Sequence, residues 1–328
     1  MRIGLVGTGY MAEKHCSMLA DHPQAELEVI CSTERSKARG ETFCQRFGFA
    51  SSCHRLEAVL ENPAVEMVYI CSPDSRHVEQ TIAGLEAGKH VFCEKPLART
   101  RAEFDRLRKA LDQAQTVLGV GMNCRYRVQY SLPHDCIASG QWGRLQFLRG
   151  VYLHNLVPTA RNRQKPWWLE HPEEVYFFLH GNGIHCIDLM RWVGGEITSV
   201  FARATGYELG SDFKADTFSA SLCFTSGAIG EMFVSTGAYL PREISLEAWL
   251  SQASLVGSTL YRRDHHDEGE ALPVVQPHLD LWLQFDDLVA AIQQGRQPMN
   301  SLDEAFENFL IIEGLQRSLR TGQAVELG

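Results

Sequence analysis

The chain of 328 residues has no Cys-x-x-Cys pair among its ten cysteines and no excess of positive charge. It also has no apolar run of about eighteen residues, the length that a membrane helix needs. Each absence removes a class of function. Scattered cysteines at 16, 31, 44, 53, 71, 93, 124, 136, 186 and 223 do not build a structural zinc site, so no metal is expected. A net charge of −9 argues against a general nucleic-acid binder, whose target would repel it. The absence of a spanning segment leaves no membrane role. The opening residues Met1–Gly7 read as a strand entering a glycine turn, not as a signal h-region. The expectation is a cytoplasmic protein whose thiols stay reduced. No internal repeat and no low-complexity tract interrupts the chain.

What is present is globular: 45% hydrophobic and 22% charged residues, with length enough for two cores. Up to residue 121, short apolar runs alternate with helix-patterned stretches. Strands are expected at Arg2–Val6, Leu27–Cys31, Val65–Ile70, His90–Cys93 and Thr116–Gly121. Helices are expected at Tyr10–Ala20, Ser36–Phe47, Leu56–Leu60, Val78–Ala87 and Ala102–Ala114. That rhythm predicts an α/β domain, a doubly wound parallel sheet of Rossmann type, over residues 1–121. Residues 122–328 read as an α+β domain with a large, mostly antiparallel open sheet. Its strands are Leu145–His154, Ile197–Tyr207, Thr217–Phe224 and Ala228–Ala238. Its helices are Pro133–Ser139, Ile184–Val193, Leu279–Gln294 and Leu302–Thr321, of which the last two are candidates to pack back toward the first domain. The polar stretch Arg262–Glu270 reads as a solvated loop, and its His265-His266-Asp267 as no metal site.

Between the first strand and the first helix stands Gly7-Thr8-Gly9-Tyr10-Met11-Ala12, a G-x-G-x-x-A pattern. Its first glycine permits a tight turn, its second lets backbone approach a pyrophosphate, and Ala12 lets helix pack on strand. The helix N-terminus then offers unpaired N–H groups to the phosphates. Such a turn at the head of a βαβ unit points to dinucleotide binding. The second strand ends at Cys31-Ser32-Thr33, followed by Glu34 and Arg35, with no acid at its tip. Ser32, Thr33 and Arg35 suit a nucleotide 2′-phosphate, which tilts the choice between NAD and NADP slightly toward NADP.

Ligands of a parallel sheet bind beyond its strand ends, and two further segments fall there. One is Cys71-Ser72-Pro73-Asp74-Ser75-Arg76-His77, and the other is Glu94-Lys95-Pro96. Taken alone, Lys95 reads as an ordinary surface lysine. Beside a cationic nicotinamide, a lysine gives up its proton more readily and can shuttle it. In the second domain, His185 and Asp188 share one face of a mostly apolar helix at i, i+3 spacing. A satisfied core pair and a catalytic pair are equally open readings.

These elements, taken in order, resemble the Gfo/Idh/MocA oxidoreductases, the relatives of glucose–fructose oxidoreductase and inositol dehydrogenase. The match lies in Gly7–Ala12, Ser72-Pro73 with His77, Glu94-Lys95-Pro96, and Gly183-Ile184-His185-Cys186-Ile187-Asp188. The closing segments Phe285–Gly295 and Ser301–Gly322 are similar too. The resemblance implies hydride transfer between NAD(P) and a hydroxyl or carbonyl carbon of a sugar, inositol or related small molecule. It implies an active site in the cleft between two domains and a homo-oligomer, dimer or tetramer, built through the second sheet. It implies that Lys95 binds substrate oxygen and assists proton transfer, with His185 as the principal acid/base. Asp188 would orient His185 or bind a substrate hydroxyl, and Asn123 and Arg125 would border nicotinamide and substrate. Many members carry an aspartate four residues before the histidine. Here Gly181 stands there, between His180 and Asn182, either of which is a candidate substitute.

Two other features bear on substrate. Arg161–Trp168 includes Trp167, whose ring suits stacking on a sugar face, although a surface loop with its tryptophans packed on the sheet is the preferred reading. Tyr176-Phe177-Phe178 reads as core packing. Gly181 also keeps two further functions open: a dinucleotide-binding sensor that has lost catalysis, and a lyase or epimerase that oxidises transiently with bound cofactor.

Overall fold

A computed structural model describes residues 1–160, 177–206, 215–272 and 279–327. The chain divides into two compact units, one of residues 1–123 and 279–306, the other of residues 124–278 and 307–328.

In the first unit, β1 (Arg2–Val6) leads to α1 (Tyr10–Asp21), then β2 (Glu26–Cys31), α2 (Lys37–Phe47), β3 (Ser51–Cys53) and α3 (Leu56–Leu60). β4 (Met67–Ile70), α4 (His77–Glu86), β5 (His90–Cys93), α5 (Arg101–Gln113) and β6 (Leu118–Val120) follow. The six strands are parallel in the order β3-β2-β1-β4-β5-β6. The order reverses at β1, so the crevice beyond Val6 is the switch point where such sheets bind ligands. Buried apolar runs such as Met67–Ile70 fit a sheet covered on both faces. α5 starts as its sequence dictates. Thr100 Oγ accepts from Glu103 N–H at 3.2 Å, while the Glu103 carboxylate accepts from Thr100 N–H at 3.1 Å. β3 is too short and polar to stand out in the sequence.

The second unit opens with α6 (Val128–Ala138), β7 (Leu145–Leu153) and α7 (Val157–Ala160). A π-turn at Phe177–Gly183 runs into α8 (Ile184–Gly194). β8 (Ile197–Thr205), β9 (Thr217–Phe224), β10 (Ile229–Ser235), β11 (Glu243–Leu250), β12 (Ala253–Val256), β13 (Thr259–Arg262) and β14 (His265–Ala271) complete the large sheet with β15 (Val325–Glu326). α9 (Asp280–Gln294) and α10 (Leu302–Thr321) lie between β14 and β15 in the chain. The strand order is β14-β13-β12-β11-β7-β10-β9-β8-β15, antiparallel except for the parallel pair of β7 and β10. In β9, Phe218, Ala220, Leu222 and Phe224 are buried while Ser219, Ser221 and Cys223 are exposed, the alternation of a sheet with one open face. α8 lies close on β7 because Gly150 has no side chain. A Cβ there would come within 2.7 Å of both Met190 Sδ and Cys186 Sγ.

Two expectations need correction. α6 begins at Val128, not Pro133, and runs through the proline. Burial of Tyr130, whose hydroxyl donates to Ile244 O at 2.8 Å, supports the earlier turn despite the N–H that Pro133 lacks. The polar stretch Arg262–Glu270 is not a loop but the outermost hairpin of the sheet. Charged residues suit an edge strand, and Arg262 pairs across it with Glu270. Tyr207, at the expected end of β8, lies outside the described residues, as do Arg161–Trp168 and Tyr176. No helix among the described residues is long and apolar enough to cross a membrane.

Candidate active site

In the first unit the predicted residues converge on the carboxyl ends of β1, β4 and β5. Gly7 has φ +111°, and a Cβ on it would lie 2.5 Å from Cys71 O, so backbone and tight turn both require glycine. Gly9 is the opposite case. A Cβ there meets nothing within 4 Å, and no side chain caps the helix that follows. The turn therefore leaves the α1 N-terminus, with the N–H groups of Tyr10, Met11 and Ala12, open to an anionic group. Thr8 and Ala12 are buried, while Tyr10 projects with 68% exposure. This open cradle fits a dinucleotide pyrophosphate.

At the end of β2 the hydroxyl of Ser32 turns inward, 3.3 Å from His54 Nδ1 and covered by Gly40. Thr33 closes a small turn with Ser36, their hydroxyls 2.9 Å apart, and Arg35 is exposed. Sequence reasoning missed His54, whose only signal is its distance from Ser32 across the β2–β3 pair.

Beyond β4 and β5, one imidazole fastens two loops. His77 Nδ1 lies 2.7 Å from Pro96 O and Nε2 lies 3.0 Å from Ser72 O. Both acceptors are carbonyls, so both ring nitrogens must donate, which only the cation can do. Burial works against that charge. The Cys93 sulfur and the two carbonyls outweigh it, and the group is pushed up to about 9. Ser72 Oγ donates to Gln80 at 2.6 Å. The Lys95–Pro96 peptide bond is cis. Glu94 points into the core, its Oε1 2.8 Å from His15 Nε2 and its Oε2 accepting from Lys95 N–H at 3.2 Å. Burial would raise this carboxyl, but His15, Lys95 and His77 together hold it below its ordinary range. Lys95 itself is half-buried. The β6 end is clamped by Gln284 Nε2 on Val120 O at 3.0 Å, and Asn123 donates to the Asp280 carboxylate.

In the second unit the structure gathers a different set. His185 is 5% exposed, and its Nδ1 lies 3.5 Å from Cys124 Sγ. The ring lies parallel to Tyr152, at 9° and 6.5 Å between centroids. Tyr152 donates its hydroxyl to Asn182 Oδ1 at 3.1 Å. Asn182 lies next to Gly181 and is 8% exposed, with its Nδ2 lacking any partner among the described residues. His180 is 4% exposed. Tyr152 and His154 went unread in the sequence, although β7 alternation puts both on the face that carries Gly150.

Asp188 does not serve His185. Its oxygens accept from Arg125 Nε at 3.0 Å, Arg125 Nη2 at 2.6 Å and Asn308 Nδ2 at 2.7 Å. Both partners of the ion pair are within 2% of complete burial. Arg125 and Asp188 thus hold one another, and helical spacing to His185 gave a shared face without a contact. Trp167 lies outside the described residues. Among the described residues no cluster of His, Cys, Asp or Glu is arranged to hold a metal ion.

Comparison with known proteins bears on the family and the fold. Residues 1–122 match the family described as oxidoreductase family, NAD-binding Rossmann fold, and residues 133–256 match the GFO/IDH/MocA C-terminal domain. A levoglucosan dehydrogenase of Pseudarthrobacter phenanthrenivorans is 29% identical over 209 residues, 62% of this chain and about half (53%) of that protein. A myo-inositol 2-dehydrogenase of Thermotoga maritima is 29% identical over 234 residues, 70% of this chain and 67% of the relative. A solved levoglucosan dehydrogenase in complex with NADH and L-sorbose shares the fold, with a TM-score of 0.89 at 23% identity over 100% of this chain and 99% of that one.

Two outcomes follow from the buried charges. Asp188→Ala takes from the buried Arg125 the carboxylate that it grips through two hydrogen bonds, which costs about 3–5 kcal/mol. Chemical denaturation reads that loss, and a change below about 1 kcal/mol would contradict the assignment. His77 has a folded pKa above its unfolded value, so its contribution is complete below about pH 6.5 and disappears as pH rises through about 9. The stability gap between the wild type and His77→Asn, read by chemical denaturation, should therefore be widest near pH 6 and narrow toward pH 9, by about 3 kcal/mol at most. A gap independent of pH would sink the cationic reading.

Proposed function

We infer that this chain, which belongs to the Gfo/Idh/MocA oxidoreductases, interconverts a hydroxyl and a carbonyl on a sugar, an inositol or a related polyhydroxylated small molecule. One observation carries the reading. The loop pinned by His77 presents Lys95 beside an open glycine cradle at the same edge of one parallel sheet. A levoglucosan dehydrogenase and a myo-inositol dehydrogenase among the relatives support the choice of a polyol.

Gly7, Thr8, Gly9, Tyr10, Met11 and Ala12 would hold the pyrophosphate, and Cys71, Ser72, Pro73, Glu94 and Pro96 would shape the wall on which the nicotinamide rests. When bound, the nicotinamide supplies or accepts the hydride. The protein supplies position and protons. Lys95 holds the reacting oxygen with its ammonium group and assists its proton transfer, and His185 takes or returns the hydroxyl proton. Asn182, anchored through Tyr152, stands where Gly181 offers no side chain and holds a substrate hydroxyl. His180, Asn123 and Trp167 are further substrate contacts in this reading. Arg125 and Asp188 act through the helix that carries His185. The exposed Thr33 and Arg35, with Ser32 behind them, favour NADP over NAD as the preferred form. No observation favours the silent-sensor reading or the lyase and epimerase reading.

The open face of the large sheet is the proposed dimer or tetramer surface. It carries Phe147 against Trp249, 4.5 Å between centroids, and the exposed Ile229. Ten thiols, none paired, suit a reducing cytoplasmic setting.

Lys95→Met and His185→Ala should each lower kcat by about 10²–10⁴ on a polyol panel. Cofactor affinity, read by NADH and NADPH fluorescence, should stay within a few-fold. Wild-type turnover in either variant removes its role, and equal affinity for both cofactors removes the NADP preference. Trp249→Glu should shift the mass measured by light scattering to that of a smaller species. An unchanged mass would put the interface elsewhere.

A further inference from the structure

β11 enters the large sheet beside β7, with Glu243 opposite Leu153 and Ile244 opposite Tyr152. Arg242, the residue before that strand, therefore reaches the end of β7 where Tyr152 and His154 sit. Its guanidinium carbon lies 5.8 Å from the centre of the Tyr152 ring. Tyr152 is the residue that binds Asn182 and lies parallel to His185. Among the described residues no carboxylate lies within ion-pair distance of Arg242, which is exposed at the mouth of this cluster. Burial raises the Tyr152 phenol above its ordinary range, with Cys124 adding to that shift, while Arg242, which also hydrogen-bonds it, and Arg127 act in the opposite direction.

The polar atoms behind Arg242 point the same way. Asn182 Nδ2 has no partner among the described residues, and its residue is more than nine-tenths covered. His154 Nδ1 is likewise buried without a partner among them, and the ring meets Tyr152 edge-on at 6.3 Å. Burial, then Arg242, holds His154 below its usual range, so at neutral pH it brings no charge of its own. Among the described residues, a buried donor amide and an imidazole edge thus lack a partner beside an arginine that lacks a counter-ion. A neutral polyol would satisfy the first two and leave the third unmatched.

We propose that Arg242 receives an anionic group on the substrate, so that this site acts on a polyol bearing a carboxylate or a phosphate. The proposal deepens the polyol reading given above and rests on it. The anion lies against the Arg242 guanidinium, a hydroxyl of the same molecule accepts from Asn182 Nδ2, and another meets His154. A carboxylate is the better match for a single planar guanidinium, which it engages through two parallel hydrogen bonds. Arg242 is then a specificity residue: it selects the substrate without taking part in proton transfer.

The test compares D-glucuronate, D-glucose 6-phosphate and D-glucose with the holoprotein, as kcat/KM and as calorimetric binding in the presence of NADH. The wild type should favour one of the two anions over glucose by about tenfold to a hundredfold, mostly through KM. Which anion is preferred separates carboxylate from phosphate recognition. In Arg242→Gln that ratio should fall by at least about tenfold, and Arg242→Lys should restore part of it. The ratio should also shrink with added salt, as a partly solvated charge contact requires. A wild type that takes glucose as well as either anion overturns the proposal, as does a ratio unchanged in Arg242→Gln. If no compound is turned over, the polyol dehydrogenase reading fails on kinetics. The binding titration still decides Arg242, because equal binding of all three compounds rejects it.

Discussion

One buried carboxylate holds the second unit in register. Asp188 joins three stretches that lie far apart in sequence: the turn after Asn123 through Arg125, its own helix α8, and α10 through Asn308. Removing two charges from water costs several kcal/mol per ion, and attraction recovers this only where the geometry is good and several hydrogen bonds support the pair. Asp188 meets that condition with three hydrogen bonds. Arg125 meets it with a bidentate grip and the Trp192 ring 5.7 Å away. Arg191 extends the network to Glu196 at 2.7 Å. Such a pair often stabilises no more than apolar side chains of equal volume, but it admits one geometry. Cys124, beside Arg125 in the chain, is thereby fixed against the His185 imidazole, 3.5 Å from its Nδ1.

The first unit reaches the same end with histidines. His77 spans the carbonyls of Ser72 and Pro96, and His15 meets Glu94 while its ring lies edge-on to the stacked pair of Tyr69 and Phe92. His77 ties two loops through both ring nitrogens, and His15 holds the Glu94 side chain through one. Strand ends are where ligands bind, and they are also where the hydrogen-bond ladder stops holding the chain. A rigid imidazole replaces the missing ladder. Lys95 gains its position from this constraint, because its neighbours on both sides, Glu94 and Pro96, are each held by a different histidine.

The parallel sheet and the glycine turn were legible because their causes are local. A tight turn needs glycine, a sheet covered on both faces needs apolar runs, and helix caps sit within four residues of what they cap. The alternation of β9 was legible for the same reason. What escaped depends on partners distant in sequence. Asp188 stands at helical spacing from His185, and only a residue 63 positions away reveals that its carboxylate faces elsewhere. Glu94 read as a ligand contact, whereas its acceptors are turned toward His15, 79 residues distant. The β13–β14 hairpin hid behind charge, since an edge strand needs no apolar face to be a strand. The π-turn before α8 carries no signal that composition or periodicity can register.

That π-turn bears on the chemistry most directly. By widening the helix for one turn it places Gly181 and Asn182 where an ordinary α-helix would space them differently. Gly181 contributes no side chain. The polar function passes to Asn182, whose carbonyl oxygen is occupied by Tyr152 and whose amide is left over. An unmatched buried donor costs about 1–3 kcal/mol in the free protein. That cost is recovered only when a ligand brings an acceptor to the same spot. A site so arranged rejects a molecule without an oxygen there more strongly than it rewards one of better shape. In the proposed function, selectivity for a densely hydroxylated substrate would come from this amide, which folding leaves without a partner among the described residues.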